Sequence, residues 1–278
     1  MHRRLPVLDF PGTRRERRTG TGGRVMRMMI LAALGLSAAA TGALTQEWTP
    51  HQGEGLNAGA QARWPSGAIL FARCDAGQLA LLTPLAAPIQ GDLARVEYGF
   101  DDADPVAETW SVSGDGRTVF ARNPGRFARA LMNASSLSLH VAGEGGPTQR
   151  FDLDLSDQAE PLARTLTACG ERLEDPSDAL PLITGPQWAH RPNASIIRHL
   201  YPLEAAAAGR SGVAHAACIA RWDGVLEDCR LLSETPRGLG FGEATLAAAR
   251  HHRLEPAPQQ GTDPRRGLVH LSIRWQVG

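Results

Sequence analysis

Between residues 64 and 173 apolar and polar positions alternate in short runs: 68–74, 78–85, 94–100, 109–112, 118–122, 137–141 and 150–155. Alternation over four to eight residues, broken by turn formers such as Asp75-Ala76-Gly77 and Gly114-Asp115-Gly116, predicts short antiparallel strands in a sandwich-like arrangement. Two stretches change to helical spacing. One covers 124–133; the other covers 156–170, where Ala159, Leu162, Ala163, Leu166 and Cys169 recur on one face.

A second patterned region runs from Tyr201 to Trp275. Pro202 and Gly209 bracket an Ala-rich helix, and Phe241, Ala244, Ala248 and Ala249 mark the buried side of another over 241–253, ended before Pro256. Between them Asp223-Gly224 separates two strand-like runs, a strong hairpin signal because both residues tolerate positive φ. With a two-residue loop, Cys218 falls directly opposite Cys229, within disulfide reach. With a three-residue loop and Gly224 as a bulge, the register slips by one and Cys229 turns to the other face. At the end of the chain Val269, Leu271 and Ile273 alternate with His270, Ser272 and Arg274, a strand with one buried face and the makings of a sheet edge.

These residues carry a resemblance. The order Tyr201-Pro202-Leu203-Glu204-Ala205, Gly212-Val213, Gly224-Val225-Leu226, Ser233-Glu234-Thr235-Pro236, Gly240-Phe241-Gly242, Leu254-Glu255-Pro256 and Ile273-Arg274-Trp275 resembles the C-terminal domain of the TonB family of energy transducers. About a quarter of the chain is covered. The resemblance implies a module that binds a short segment of an envelope protein, such as a TonB-dependent outer-membrane receptor, by adding it as a strand. An open sheet edge offers unpaired N–H and C=O groups for that. It makes Val269, His270, Leu271, Ser272, Ile273 and Arg274 the expected partner-binding edge, with Arg198, Tyr201 and Pro202 at the opening of the module. Full transducers resemble this module only at their C-terminus. They reach it through a long proline-rich arm and a membrane helix carrying a histidine, whereas here the apolar run lacks histidine and a folded region stands in place of the arm. The earlier region faintly resembles exported accessory proteins of bacterial secretion and invasion loci, which implies a β-rich binding module and no catalytic residue.

The N-terminus reads as an export signal: Arg-rich residues 1–27, an apolar run over 28–36, then small residues ending at Thr41-Gly42-Ala43. Met26 is an alternative start. If residues 28–44 are retained they form a membrane anchor, and a membrane-anchored energy transducer is then the alternative reading. Export fits the cysteines. Four of them, Cys74, Cys169, Cys218 and Cys229, imply two disulfides, and the two-residue hairpin selects 218–229, leaving 74–169.

Composition removes other classes. The formal net charge is +0, every basic side chain is an arginine or a histidine, and no field is present to gather nucleic acid. No Cys-x-x-Cys spacing points to zinc, Asp101-Asp102-Ala103-Asp104 lacks the glycine and distal glutamate of a calcium loop, and no phosphate-binding glycine loop is present. Ser211 lacks nucleophile-elbow spacing, and Asp152 and Asp154 read as the solvated face of a strand. No catalytic residue, metal or cofactor is expected, and the second function to weigh is an envelope enzyme with its site in residues 64–173. The expected class is α+β: residues 1–43 as extension and signal, 44–63 as spacer, 64–173 as the β-rich domain with two helices, 174–194 as a Pro-containing linker, and 195–278 as the helix-strand-strand-helix-strand module. The expected place is the periplasm of a Gram-negative bacterium, with an envelope protein as partner; a homodimer is compatible with the reading.

Overall fold

A computed structural model describes residues 47–53, 57–144, 146–155 and 159–277. The signal or anchor reading of residues 28–44 lies outside them. Residues Ala43–Gly278 form one compact unit of α+β class.

The first sheet contains β1 (Thr49–Pro50), β2 (Ala58–Arg63), β3 (Ile69–Asp75), β4 (Gln78–Pro84), β5 (Leu93–Phe100), β6 (Val106–Val112), β7 (Thr118–Phe120), β8 (Ser136–Ala142) and β9 (Gln149–Asp154). They form one nine-stranded sheet in the order β1-β2-β3-β4-β7-β6-β5-β8-β9, with every pairing antiparallel. The sheet curls until its two ends meet. Trp64, just after β2, donates its indole N–H to the Asp154 carbonyl at the end of β9 over 2.8 Å. Both layers of the sandwich-like arrangement thus come from a single sheet, and the alternating buried residues of β3, β4 and β8 face a shared core. There Tyr98, Trp110 and Phe127 meet at ring distances of 5.0 to 5.8 Å, and edge-to-face contacts of this kind add to the burial term.

Two helices cover this core. In α1 (Pro124–Asn133) the Asn123 side chain accepts from the Arg126 N–H, Pro124 occupies the first turn, and Phe127, Ala128 and Leu131 are buried. In α2 (Glu160–Ala168) Leu162, Thr165 and Leu166 are buried, and Cys169 closes the helix. Cys169 is bonded to Cys74 at the end of β3, joining residues 95 apart in sequence.

The stretch read as a spacer over 44–63 instead supplies β1, β2 and the fully buried Trp48. The inward positions of β2 are Ala60 and Ala62, whose small side chains give a weak alternation signal. The stretch read as a linker over 174–194 is likewise structured. Asp175 caps a 3-10 helix at Pro176–Ala179, and β10 (Trp188–His190) pairs with β13 (Arg253–Leu254). Arg129 of α1, 3% exposed, clamps this stretch: it forks onto both oxygens of Asp178 and reaches Glu171, Asp175 and the Arg172 carbonyl. Burial alone would lower the Arg129 pKa, but those carboxylates outweigh it and hold it raised.

The C-terminal part contains α3 (Ala194–Leu200), α4 (Leu203–Ala207), β11 (Gly212–Arg221), β12 (Leu226–Thr235), α5 (Phe241–Ala249) and β14 (Arg265–Trp275). Its sheet has the order β12-β11-β14, antiparallel throughout. The hairpin combines the two registers weighed above. Its loop has three residues, Trp222 to Gly224, with Gly224 at φ +86, and Ala220 faces Leu226. A second bulge at Asp228, φ +47, then restores the count, so that Ala217 faces Arg230 and Cys218 bonds Cys229 with Cα atoms 4.0 Å apart. A further register shift between His215 and Ala216 adds one more residue on the β12 side, so that Val213 faces Thr235.

Candidate functional site

The two edges of the C-terminal sheet differ. β12 carries register shifts, which twist and blunt an edge. β14 runs beside β11 without a break from Gly212↔Trp275 to Ala220↔Gly267, so its outer side is the flatter edge. That outer side is taken at one point by the chain itself: the Leu268 N–H donates to the Pro181 carbonyl over 2.9 Å, and the Ile183 N–H donates to the Leu268 carbonyl over 2.8 Å. Leu182 thus lies parallel to Leu268 as a one-bridge strand. Pairing ends where Gly185, at φ +66, and Pro186, which has no N–H, turn the chain away. Leu268 shows which side of β14 points outward, and by two-residue alternation the backbone groups of His270, Ser272 and Arg274 point outward too. Among the described residues no strand pairs with them on that side.

The side chains of the predicted edge separate by face. Val269, Leu271 and Ile273 enter the core under α5. His270, Ser272 and Arg274 lie on the opposite face, and each contacts the N-terminal sheet. His270 Nδ1 is 3.2 Å from Glu108 Oε2 of β6, Ser272 Oγ accepts from Arg122 over 3.3 Å, and Arg274 reaches Asp92 over 2.6 Å. Tyr201 and Pro202 lie elsewhere: Tyr201 packs edge-on against Phe241 and Trp275 and donates its hydroxyl to the Arg210 carbonyl, a packing role. Arg198 sits in the last turn of α3, where its carbonyl accepts from the Tyr201 N–H.

A cleft of about 410 Å³ opens beside the outer edge of β14. Its walls are Ala107 to Thr109 of β6 with Arg122 on one side and Leu182 to Pro186, Trp188 and Arg191 on the other; His252 and the edge residues His270 to Ser272 complete it. Trp188 meets the His252 ring edge-on at 5.0 Å and carries the Arg191 guanidinium 5.8 Å from its ring centre. Sequence reasoning missed Glu108, Arg122, Trp188, Arg191 and His252. They come from separate segments, and no local spacing links them.

The electrostatics are uneven. Burial pushes the His270 imidazole down, with Glu108 opposing and Arg122 and Arg126 adding to the fall, so it is neutral at pH 7. Burial alone would raise Glu108, but His270, Trp110 and Arg122 hold it below its ordinary value as a carboxylate. Glu108 Oε1 accepts from the Trp110 indole over 2.8 Å, while Oε2 has no aligned hydrogen-bond donor and meets His270 by proximity alone. His215, facing Ser272 from β11, is pushed down to about 4 by burial and by the positive charge of Arg122. Among the described residues no cluster of side chains fits a metal ion.

The geometry is that of a module whose regular β14 edge, from His270 onward, has no strand paired to it among the described residues. Residues 198–277 match the family described as Gram-negative bacterial TonB protein C-terminal. These residues carry a TonB C-terminal domain. The match begins inside α3 and ends beyond β14, so the free edge belongs to the TonB domain, while most of the cleft walls do not. No curated protein matches the chain. The crystal structure of invasion associated protein B from Bartonella henselae is similar over 45% of this chain and 96% of that one, at 13% identity and a TM-score of 0.34. That protein is of the kind that the earlier region resembles in sequence.

Proposed function

We propose that this is an exported, non-catalytic binding protein of the Gram-negative envelope, which takes up a short extended segment of a periplasmic or outer-membrane partner, of the TonB-dependent receptor type, as a strand added along β14. The observation that carries the reading is the outer edge of β14. The chain's own Pro181 to Ile183 already pairs there in the manner of an added strand, and among the described residues no strand pairs with the edge from His270 onward. The TonB domain match supports binding as its task. The two disulfides support an oxidising compartment such as the periplasm. A cavity beside residues 66–69, 84–86 and 149–151 is lined, among the described residues, by one ionisable group, Arg150.

A Val- and Thr-rich peptide of about eight residues, roughly 27 Å when extended, is a suitable probe. Added to the full chain, it should slow amide exchange at His270, Ser272 and Arg274. Ser272→Pro removes an outward N–H without breaking the β11 ladder, so it should weaken peptide binding about fivefold more than Ser272→Ala, which keeps the N–H. Equal binding by the two variants, with unchanged exchange at the edge, would falsify the reading.

A further inference from the structure

We propose that the segment added along β14 bears an acidic side chain, whose carboxylate is held between Arg122 and Arg191, so that selectivity comes from residues outside the TonB domain. This rests on the strand-addition reading and deepens it.

Arg122 is a half-buried guanidinium on the N-terminal wall of the cleft. Among the described residues its polar contacts are weak and neutral: Nη1 is 3.5 Å from the Thr109 carbonyl, Nη2 is 3.3 Å from Ser272 Oγ, and Nε has no partner. Arg191 stands on the facing wall, held by the Trp188 ring. Among the described residues neither forms an ion pair with a carboxylate. Glu108 is the one carboxylate lining the cleft, and its oxygens are directed to Trp110 and His270. With His252 and His270 close by, the lining has two cations against one anion. Glu108 is near enough for its charge to act on Arg122 but forms no ion pair with it, and a half-buried guanidinium without a direct carboxylate partner is costly; a carboxylate arriving on an extended segment relieves that cost through a forked, charge-assisted contact. The other wall gives an aromatic plate beside the same position. Residues 198–277 contain neither arginine, so another TonB domain with the same edge would lack this selectivity.

The test uses the full chain and three peptides identical except at one central position, Glu, Gln or Lys, with affinities measured by fluorescence anisotropy in low and in 0.5 M salt. The Glu peptide should bind about tenfold tighter than the Gln peptide and tighter still than the Lys peptide, a preference that shrinks in high salt. Arg122→Gln should reduce the Glu/Gln ratio to about twofold or less, and Arg191→Gln, an exposed position that leaves the fold intact, should reduce it independently. Arg250→Gln, exposed at the end of α5, should leave the ratio unchanged. Equal binding of all three peptides overturns the acidic preference and leaves strand addition standing. A preference for Lys, or a Glu/Gln ratio that survives both arginine variants, also overturns it. Binding of none of the peptides overturns both readings.

Discussion

Several residues that made the sequence pattern recognisable have specific steric or polar tasks. A Cβ on Gly212 would lie 2.4 Å from the Phe241 ring, and one on Gly242 would lie 2.4 Å from Leu231. Glu234 anchors the turn into α5, accepting from the Gly238 N–H with one oxygen and from the Gly242 N–H with the other, at 2.9 and 2.6 Å. Its charge also sits favourably at a helix N-terminus. Trp275 is fully buried and satisfies its indole through Thr245 Oγ1 over 2.9 Å. Gly224 is the most demanding of the set: its φ is +86, its carbonyl accepts from the Leu254 N–H, and an added Cβ would meet the Leu254 carbonyl at 2.0 Å. Gly224→Ala is therefore expected to cost about 2–3 kcal/mol, read as a lower urea midpoint with an unchanged slope.

At the scale of elements, the disulfides join parts that the sequence keeps apart. Cys74–Cys169 ties β3 to the end of α2 across 95 residues, while Cys218–Cys229 spans only 11 within one hairpin. The longer loop removes more freedom from the unfolded chain. The Cys74→Ala, Cys169→Ala double variant should lose about 4–5 kcal/mol, against about 3 kcal/mol for the hairpin pair, by denaturant titration. A larger loss from the hairpin pair would contradict this ordering. The bulge at Asp228 explains why sequence reasoning reached the right cysteine pair through a loop of the wrong length: one inserted residue offsets the longer loop at the cysteines. Hydrophobic alternation reports which face a residue occupies; the later shift between His215 and Ala216 sets the far end one residue away from the two-residue register, so that Val213 faces Thr235.

Across the whole molecule, the two sheets are tied by Arg237 to Asp75, Arg274 to Asp92, Arg122 to Ser272 and His270 to Glu108, with Arg129 holding the segment between them. Histidines in this contact give a pH dependence. His215 has a folded pKa near 4 against an ordinary value of 6.5, so the unfolded chain takes up its proton first on acidification. Its contribution to stability is present above pH 6.5 and is lost as the pH falls toward 4, with a slope of at most about 1.4 kcal/mol per pH unit for one proton. His252 and His270, also lowered, share part of that window. Thermal or urea midpoints between pH 4.5 and 6.5 should therefore fall with pH, and His215→Gln should flatten that fall without removing it.

The sequence by itself determined the α+β class, most strands of the first sheet, the order of elements in the TonB domain and the alternation that gives β14 two unlike faces. These are local properties, set by period, turn chemistry and capping. Trp48 and β2 escaped notice because their inward positions are mostly alanine, and the bulge at Asp228 because no residue type requires one there. The cleft was decided by tertiary structure alone. Glu108, Arg122, Trp188, Arg191 and His252 converge on one edge only when the sheet curls, Arg129 fixes the connecting segment and the C-terminal sheet lies against β6. Such convergence depends on contacts between residues far apart in the chain, and sequence periodicity carries no record of those.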